Sequence, residues 1–335
     1  MSGSESSRVA VVVVNWNGRD DCEAGLGAVL SQTLTPAEVV AVDNGSSDGS
    51  CAWFERQPGV RVLRNPQNLG FAKAVNQGLR ASTSPLVLLC NLDCVLDPGF
   101  LAAAVLRMES DPKIGSVGGR LRQRRDPTSP LDTVGHLLHR SGWVANRGRG
   151  ESGEGRFLVA EEVFGVSAAA ALYRRRMLDD VAIGGEVLCE AFFAYLEDVD
   201  LDWRARWRGW RCYYEPAATA SHRRGGTGLS RSALIERHVV ANRISLMARN
   251  APPSWLRGRR GAKAAGFIAM RVGLALSRHP TAVLGIVDAG RRRDQDSAAR
   301  AHIMGTRLVD DSAIDGWALP TPWGSLVGAH LGIGR

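Results

Sequence analysis

Two short acidic stretches, far apart in the chain, carry the residue types that phosphate and sugar chemistry require. The first closes an apolar run, Pro85-Leu-Val-Leu-Leu-Cys-Asn-Leu-Asp-Cys-Val-Leu-Asp-Pro98. Pro at the head and Asp-Pro beyond predict a buried strand that delivers Asn91 and Asp93 to its carboxyl end, the edge where open α/β sheets bind ligands. A carboxylate there can meet a metal-bound diphosphate. The same residues would also suit a turn before the helix starting near Gly99, because Asx side chains favour such positions. The second stretch, Phe192-Phe-Ala-Tyr-Leu-Glu-Asp-Val-Asp-Leu-Asp-Trp203, packs four carboxylates into six positions beside aromatic rings. Like charges that close repel, so at least one carboxyl should hold its proton unusually well unless cations compensate, and a general base needs such an environment. If a helix begins near Glu197 or Asp198, Asp198 and Asp202 share one face while Asp200 points elsewhere. An acidic helix start favoured by the macrodipole is the plainer reading.

The elements that must position these groups are legible upstream. Val9-Ala-Val-Val-Val-Val14 is a β-branched run ending in Asn15-Trp-Asn-Gly18, a buried strand opening into a polar loop. Asp20 to Leu30 has helical spacing. Ala37 to Val42 runs into Asp43-Asn-Gly-Ser-Ser-Asp-Gly49, and Val60 to Leu63 leads through Asn65-Pro-Gln-Asn-Leu-Gly-Phe71 to a helix ending near Arg80. Strand alternating with helix predicts a parallel, doubly wound α/β sheet. Three polar loops then converge on one rim. Asp43 can accept hydrogen bonds from a base or ribose, and Gly45, Ser46 and Gly49 let backbone approach a ligand. Asn68, Gly70, Lys73 and Asn76 can reach a diphosphate or base from the next helix's start.

A chain of 335 residues with 44% hydrophobic and 23% charged content is long enough for two domains, or for one large α/β domain with an appendage. The net charge of +8 comes with clusters of arginine, which suit phosphate-bearing substrates or an anionic membrane face. Nucleic acid is excluded as a partner because no DNA- or RNA-binding module accompanies the charge. Six scattered cysteines read as reduced thiols, and the polar start from Met1 to Arg8 lacks a signal-peptide pattern, so the expected location is cytoplasmic.

Val14-Asn-Trp-Asn17, Asp43-Asn-Gly-Ser-Ser-Asp-Gly49, Asn68-Leu-Gly-Phe-Ala72 with Asn76-Gln-Gly78, and Leu89-Cys-Asn-Leu-Asp93 resemble the successive motifs of inverting family 2 glycosyltransferases, and their combination most resembles the rhamnosyltransferase-like branch. The resemblance spans roughly residues 8 to 250. It implies a GT-A fold with a mixed sheet, a nucleotide-diphosphate-sugar donor held by residues including Asn15, Asn17, Asn91 and Leu92, and a divalent metal, Mn²⁺ or Mg²⁺. Asn91-Leu-Asp93 falls where the family carries its Asp-X-Asp-type motif, which assigns the metal to Asp93. Asn91 in place of a first Asp leaves one fewer anionic ligand. Glu197-Asp198 matches the family's Glu-Asp motif, which makes Asp198 the general base, with Glu197 orienting that base or the acceptor. His222 stands where the family often has a His, as a second metal ligand or a structural residue. The Gly-rich stretch after it, with Arg223 and Arg224, would close over the leaving diphosphate.

Residues 120–154 are rich in Arg, Gly, Ser and Pro with little periodicity, which reads as a long mobile lid or an idle insertion. Its His136, His139 and Trp143 receive no role. Gly165 is expected near the site, and Ala168 to Ala171 either leave room for sugar or pack a core strand. The boundary is drawn after residue 250. Beyond it, Ala264 to Leu276 and Thr281 to Ala289 are too short or too charged to span a bilayer, and their flanking arginines suggest a helical region lying on an anionic membrane surface, with a helical cap or a dimer contact as alternatives. Residues 305–335 read as a loose tail. The function expected is transfer of a sugar such as rhamnose to a cell-envelope glycan or polyprenyl-linked acceptor, by an enzyme on the inner face of the plasma membrane. A non-catalytic sugar-nucleotide or glycan binder on the same fold is the alternative, and a nucleotidyltransferase ranks last because its Gly-rich signature loop is missing after the first strand.

Overall fold

The computed structural model describes residues 8–224 and 233–321. Strand and helix alternate through β1 (Val9–Asn15), α1 (Arg19–Leu30), β2 (Glu38–Asp43), α2 (Ser50–Phe54), β3 (Val60–Arg64), α3 (Phe71–Ala81) and β4 (Leu86–Asn91). The chain continues with β5 (Cys94–Leu96), α4 (Phe100–Glu109), β6 (Ile114–Arg122), β7 (Leu131–Thr133), β8 (His136–Leu138), β9 (Val144–Asn146) and β10 (Glu161–Glu162). Then come β11 (Ala170–Arg174), α5 (Arg175–Val181), α6 (Glu197–Trp207) and β12 (Arg211–His222). Helices α7 (Ala233–Asn250), α8 (Gly258–Arg278), α9 (Val283–Arg291), α10 (Arg293–Thr306) and α11 (Asp311–Asp315) follow.

The main sheet runs in the order β10-β12-β6-β11-β4-β1-β2-β3. Its β4-β1-β2-β3 half is parallel, as the alternation predicts. β11 runs antiparallel to both β4 and β6, so the whole sheet is mixed. The unbroken apolar character of β1 is explained by cover on both faces. Val9, Val11 and Val13 pack with Leu26 and Val29 of α1 and with Phe100 of α4, whereas Val12 packs with Val75 and Leu79 of α3.

A third core lies beneath α6. Trp203 and Trp207 pack there with Phe164, Phe192, Leu246 and Met247, and with Trp255, Ala264, Ile303 and Ile314 from beyond residue 250. The loose tail expected from residue 305 is therefore corrected as far as residue 321. The Leu308 N–H donates to Trp207 O at 2.9 Å and the Leu319 N–H to Leu138 O at 2.9 Å. Buried apolar residues spaced too widely to show periodicity, Ile314 and Ala318, anchor it.

The segment 120–154 is also corrected. It is built from short strands: β7 pairs with β6, and β8 pairs with β9 with His136 opposite Asn146. Leu131, Val134 and Leu138 are buried along it. Strands of three residues carry too few positions for a period to show among so many arginines and glycines.

Candidate active site

The first two polar loops form one network at the rim of the parallel half. Asn15 Nδ2 donates to Asp43 Oδ1 at 2.6 Å, to Ser46 Oγ at 3.0 Å and to Ser50 Oγ at 2.7 Å. The Ser46 N–H donates to Asp43 Oδ2, and Asn17, at φ 50°, accepts from the Ser47 N–H. Asn15 and Asp43 are buried, so they shape the rim, while Asn17 lies at its surface. In the third loop, Asn68 Oδ1 accepts from the Gly70 N–H and from Asn44 Nδ2. Gly70 sits at φ 92°, and a Cβ there would lie 2.7 Å from the Phe193 ring, so only glycine allows this approach. Lys73 pairs with Glu190 at 3.5 Å.

Asn76 requires correction. Its buried amide spans to the loop before α6, donating to Leu188 O at 2.8 Å and to Glu190 while accepting from the Leu188 N–H. Its hydrogen bonds are spent within the protein, so it ties the two halves of the site together and does not face a donor. Leu92 is likewise buried against α1, beneath the rim.

Asp93 stands between β4 and β5, and β12 ends on His222, opposite the next residue, Cys94. His222 Nε2 lies 3.4 Å from Asp93 Oδ1, and His222 Nδ1 lies 2.8 Å from Oδ2 of the fully buried Asp132. Burial opposes charge on the His222 ring, but the hydrogen bonds to Asp132 and Asp93 outweigh it and push its pKa up to about 9. Arg224 Nε also donates to Asp132, and Arg223 Nη2 donates to Asp21. Burial would raise the Asp132 pKa, yet His222 and Arg224 hold it low. The Gly-rich stretch 225–228 expected to close over a diphosphate lies outside the described residues.

Among the described residues no group of three or more His, Cys, Asp or Glu side chains is arranged to hold a metal ion. The Asp93–His222 pair nonetheless fits a divalent ion that takes its remaining ligands from a diphosphate and water. It joins one carboxylate oxygen and one imidazole nitrogen, and the other ring nitrogen is fixed by a carboxylate, the usual support of a ligating histidine.

The second acidic stretch begins α6 from a strained turn. Phe193, Tyr195 and Leu196 have φ of 62°, 74° and 67°, a region that non-glycine residues seldom occupy. Asn242 of α7, fully buried, holds this turn: its Nδ2 donates to Phe192 O and Ala194 O at 2.9 Å and to Tyr195 O at 2.8 Å. Arg292 in turn donates to Asn242 Oδ1 at 2.7 Å. The turn points Glu197 and Asp198 at the rim. Asp200 faces the opposite way, as the helical spacing predicts, toward Arg204, Arg249 and Asn250. Burial would raise its pKa, but the two arginines hold it low. Removing Arg249 would leave part of a buried charge uncompensated, which typically costs roughly 3–5 kcal/mol.

Asp198 Oδ2 accepts from the Ala168 N–H at 3.2 Å and lies 3.9 Å from His136 Nε2. His136 Nδ1 is 2.8 Å from Asp202 Oδ2. Burial disfavours charge on His136, but Asp202 and Asp198 raise its pKa above the ordinary value. The carboxyl of Asp202 is pushed up to about 6, by burial first. Glu197, also buried, is pushed up to about 8 by burial and by the neighbouring Asp198 charge, and its Oε2 has no hydrogen-bond partner. Gly165 lies against Asp202, where a Cβ would fall 1.9 Å from Oδ2. Ala168 to Ala171 are buried, the core reading of that stretch.

The two stretches meet on one rim. The Asn91 N–H donates to Ala169 O, one residue from the amide that holds Asp198. Tyr195, half-buried, has its pKa raised by burial and by the charges of both Glu197 and Asp93. Sequence reasoning gave no role to His136, Asp132 and Asn242, and placed Asp202 only on the helix face of Asp198. For Asp132 and His136 the one signal was polar residues among apolar ones in an apparently irregular segment.

The family model described as Glycosyl transferase family 2 matches residues 10–182. Over 276 residues, 74% of this chain and 89% of the relative, the sequence is 29% identical to an N-acetylglucosaminyl-diphospho-decaprenol L-rhamnosyltransferase of Mycobacterium tuberculosis. It is 22% identical over 219 residues to a poly-beta-1,6-N-acetyl-D-glucosamine synthase of Staphylococcus aureus, covering 64% of this chain and 49% of that protein. Among solved structures, a mannosyltransferase from Pyrobaculum calidifontis in complex with GDP-Man and Mn²⁺ superimposes with a TM-score of 0.53 at 19% identity, over 89% of this chain and 85% of the other. GalNAc-T7 with UDP, GalNAc and Mn²⁺ gives a TM-score of 0.54 at 13% identity, over 72% of this chain and 47% of the other. The fold is the GT-A fold.

Proposed function

Because the chain belongs to glycosyl transferase family 2 and is a glycosyltransferase, we propose that it transfers a sugar, with inversion, from a nucleotide-diphosphate donor to a hydroxyl of a prenyl-diphosphate-linked cell-envelope glycan. Rhamnose is the sugar and a diphospho-decaprenol glycan the acceptor named for its mycobacterial relative. One observation carries the reading: Asp198 stands at the start of α6 beside His136, on the same rim as the Asp93–His222 pair.

Asp198 takes the acceptor hydroxyl's proton as that oxygen attacks the anomeric carbon, and the bond from that carbon to the diphosphate oxygen breaks on the opposite face. His136 Nε2, 3.9 Å from Asp198 Oδ2, helps to orient the carboxylate that accepts the proton. Glu197, protonated below about pH 8, has an oxygen free to orient the acceptor. Asp93 and His222 would hold a divalent ion, Mn²⁺ or Mg²⁺, which when bound supplies positive charge to the departing diphosphate. Asn17, Ser46 and Asn91 remain candidates to contact the donor.

Residues beyond 250 share the core beneath α6, and the exposed part of that region is proposed to rest on an anionic membrane surface from the inner side. No helix among the described residues is long and apolar enough to cross a membrane. Val283, Leu284, Ile286 and Val287 of α9 are each exposed, an apolar face beside Arg291 and Arg293 that suits lipid contact.

The test is purified protein with Mn²⁺, a panel of nucleotide-diphosphate sugars and a prenyl-diphosphate-linked N-acetylglucosamine. Nucleoside diphosphate released only when acceptor is present is the expected result. Tight donor binding without release under any pairing would leave a binding protein instead.

A further inference from the structure

Helices α7 and α8 enclose a cleft lined with arginines. Its lining includes Arg243, Arg271 and Arg278 together with Glu236, the one carboxylate among its lining residues, and apolar Val240 and Val272. The guanidinium carbons of Arg243 and Arg271 lie 3.9 and 4.3 Å from the centre of the Trp143 ring. Two cations on one indole repel each other unless an anion joins them. The Nη1 atom of Arg243 is buried and has no hydrogen-bond partner. Burial first, and Arg271 next, push the Arg243 pKa down to about 9, more than Glu236 offsets.

The cleft has an apolar side and a catalytic side. Val240 and Ala275 pack with Ala282, which leads into the exposed apolar face of α9 at Val283, Leu284 and Val287. Trp143 directly precedes the returning strand β9 of the hairpin whose first strand starts at His136, beside Asp198. Strand residues advance about 3.4 Å each, so Trp143 stands on the order of 10 Å along the hairpin from His136. A hexose joined to a diphosphate is a group of that length.

We propose that Arg243 and Arg271, with Arg278 at the same cleft, bind the diphosphate of a prenyl-diphosphate-linked acceptor, whose chain leaves along α9 and whose sugar reaches Asp198. Guanidinium groups suit this ligand because they pair bidentately with phosphate oxygens, and their stacking on Trp143 fixes their orientation. The inference rests on the transferase reading above and adds the site that would recognise the lipid end of the acceptor.

Equilibrium binding to the full chain tests it, with farnesyl diphosphate, farnesol, inorganic pyrophosphate and vesicles of equimolar phosphatidylglycerol and phosphatidylcholine as separate probes. Farnesyl diphosphate should bind best, and the double variant Arg243→Gln, Arg271→Gln should weaken it by roughly tenfold or more. The single variant Arg271→Gln, which leaves the more buried arginine in place, should show a smaller loss in the same direction. Nucleotide-sugar binding should be unchanged in both. Equal affinity for farnesyl diphosphate in wild type and variants overturns the proposal. Equal affinity for pyrophosphate and farnesyl diphosphate overturns the lipid path, and arginine-dependent binding of the vesicles alone assigns the cleft to a membrane headgroup instead. If no nucleotide sugar binds the wild-type protein, the transferase reading itself fails, whereas normal donor binding with arginine-independent prenyl binding rejects only this cleft.

Discussion

His222 and His136 each place Nδ1 2.8 Å from a buried aspartate, Asp132 or Asp202, and turn Nε2 toward a more exposed one, Asp93 at 3.4 Å or Asp198 at 3.9 Å. What differs is the cation behind the buried aspartate. Arg224 donates to Asp132 and helps hold that carboxyl low, whereas Asp202 has the Val166 N–H and His136 and is pushed up to about 6. Behind Asp93 the negative charge is fixed, and the His222 ring is held between two carboxylates. Behind Asp198 the charge is softer, which suits a site through which a proton passes. The same three-residue geometry thus recurs at the two carboxylates proposed for ion binding and for proton transfer, and an arginine behind only one of them separates the two.

The sharpest way to break this comparison is to remove the two exposed aspartates. Asp198→Asn should lower turnover by about 10²–10⁴-fold, the range for loss of a general base, with donor affinity near that of the wild type. Asp93→Ala should instead abolish the metal-dependent part of donor binding, read by titrating nucleotide sugar with and without Mn²⁺. If both variants lose donor binding equally, the division of labour is wrong.

A finer test acts one residue further back. Asp132→Asn should weaken Mn²⁺ affinity by about 10–100-fold, as loss of a histidine's supporting carboxylate does in metal sites. His136→Gln should leave Mn²⁺ affinity unchanged and lower kcat by roughly tenfold, because the ring that lies 3.9 Å from Asp198 and helps to position it is gone. An unchanged kcat would reduce His136 to a packing residue.

The smallest effect is on stability. Glu197 titrates at about 8 in the folded protein against an ordinary 4.5, so between those values the folded chain holds a proton that the unfolded chain has released. Its contribution is therefore most favourable below about pH 4.5 and is lost as pH rises toward 8, at up to about 1.4 kcal/mol per pH unit. Glu197→Gln should flatten that slope in denaturant unfolding at several pH values, while Asp200→Asn, at a carboxyl held low by arginines, should not.

Much of the scaffold is readable from residue pattern. The valine run of β1 and the apolar run of β4 announce buried strands because both faces are covered, and Asp93 is found because it ends one of them. The four acids in six positions single out the second stretch, the resemblance to the Glu-Asp motif picks Asp198 within it, and the opposite orientation of Asp200 follows from helical spacing. Asn76 went wrong for a complementary reason: an amide at a helix start looks the same whether it faces a ligand or spans to a loop more than a hundred residues away, as this one does to Leu188.

The sequence by itself determined the strands, the helices and the two carboxylates, because hydrophobic period and local charge crowding are properties of neighbours in the chain. Only the tertiary structure decided what surrounds those carboxylates. Asp132 and His136 come from a segment with no visible period, and Asn242 and Arg292 come from helices beyond the sheet, yet together they hold His222, Asp198 and the turn before α6. Contacts between residues distant in sequence set burial and counter-charge, and these set whether an acid keeps its proton or gives it up.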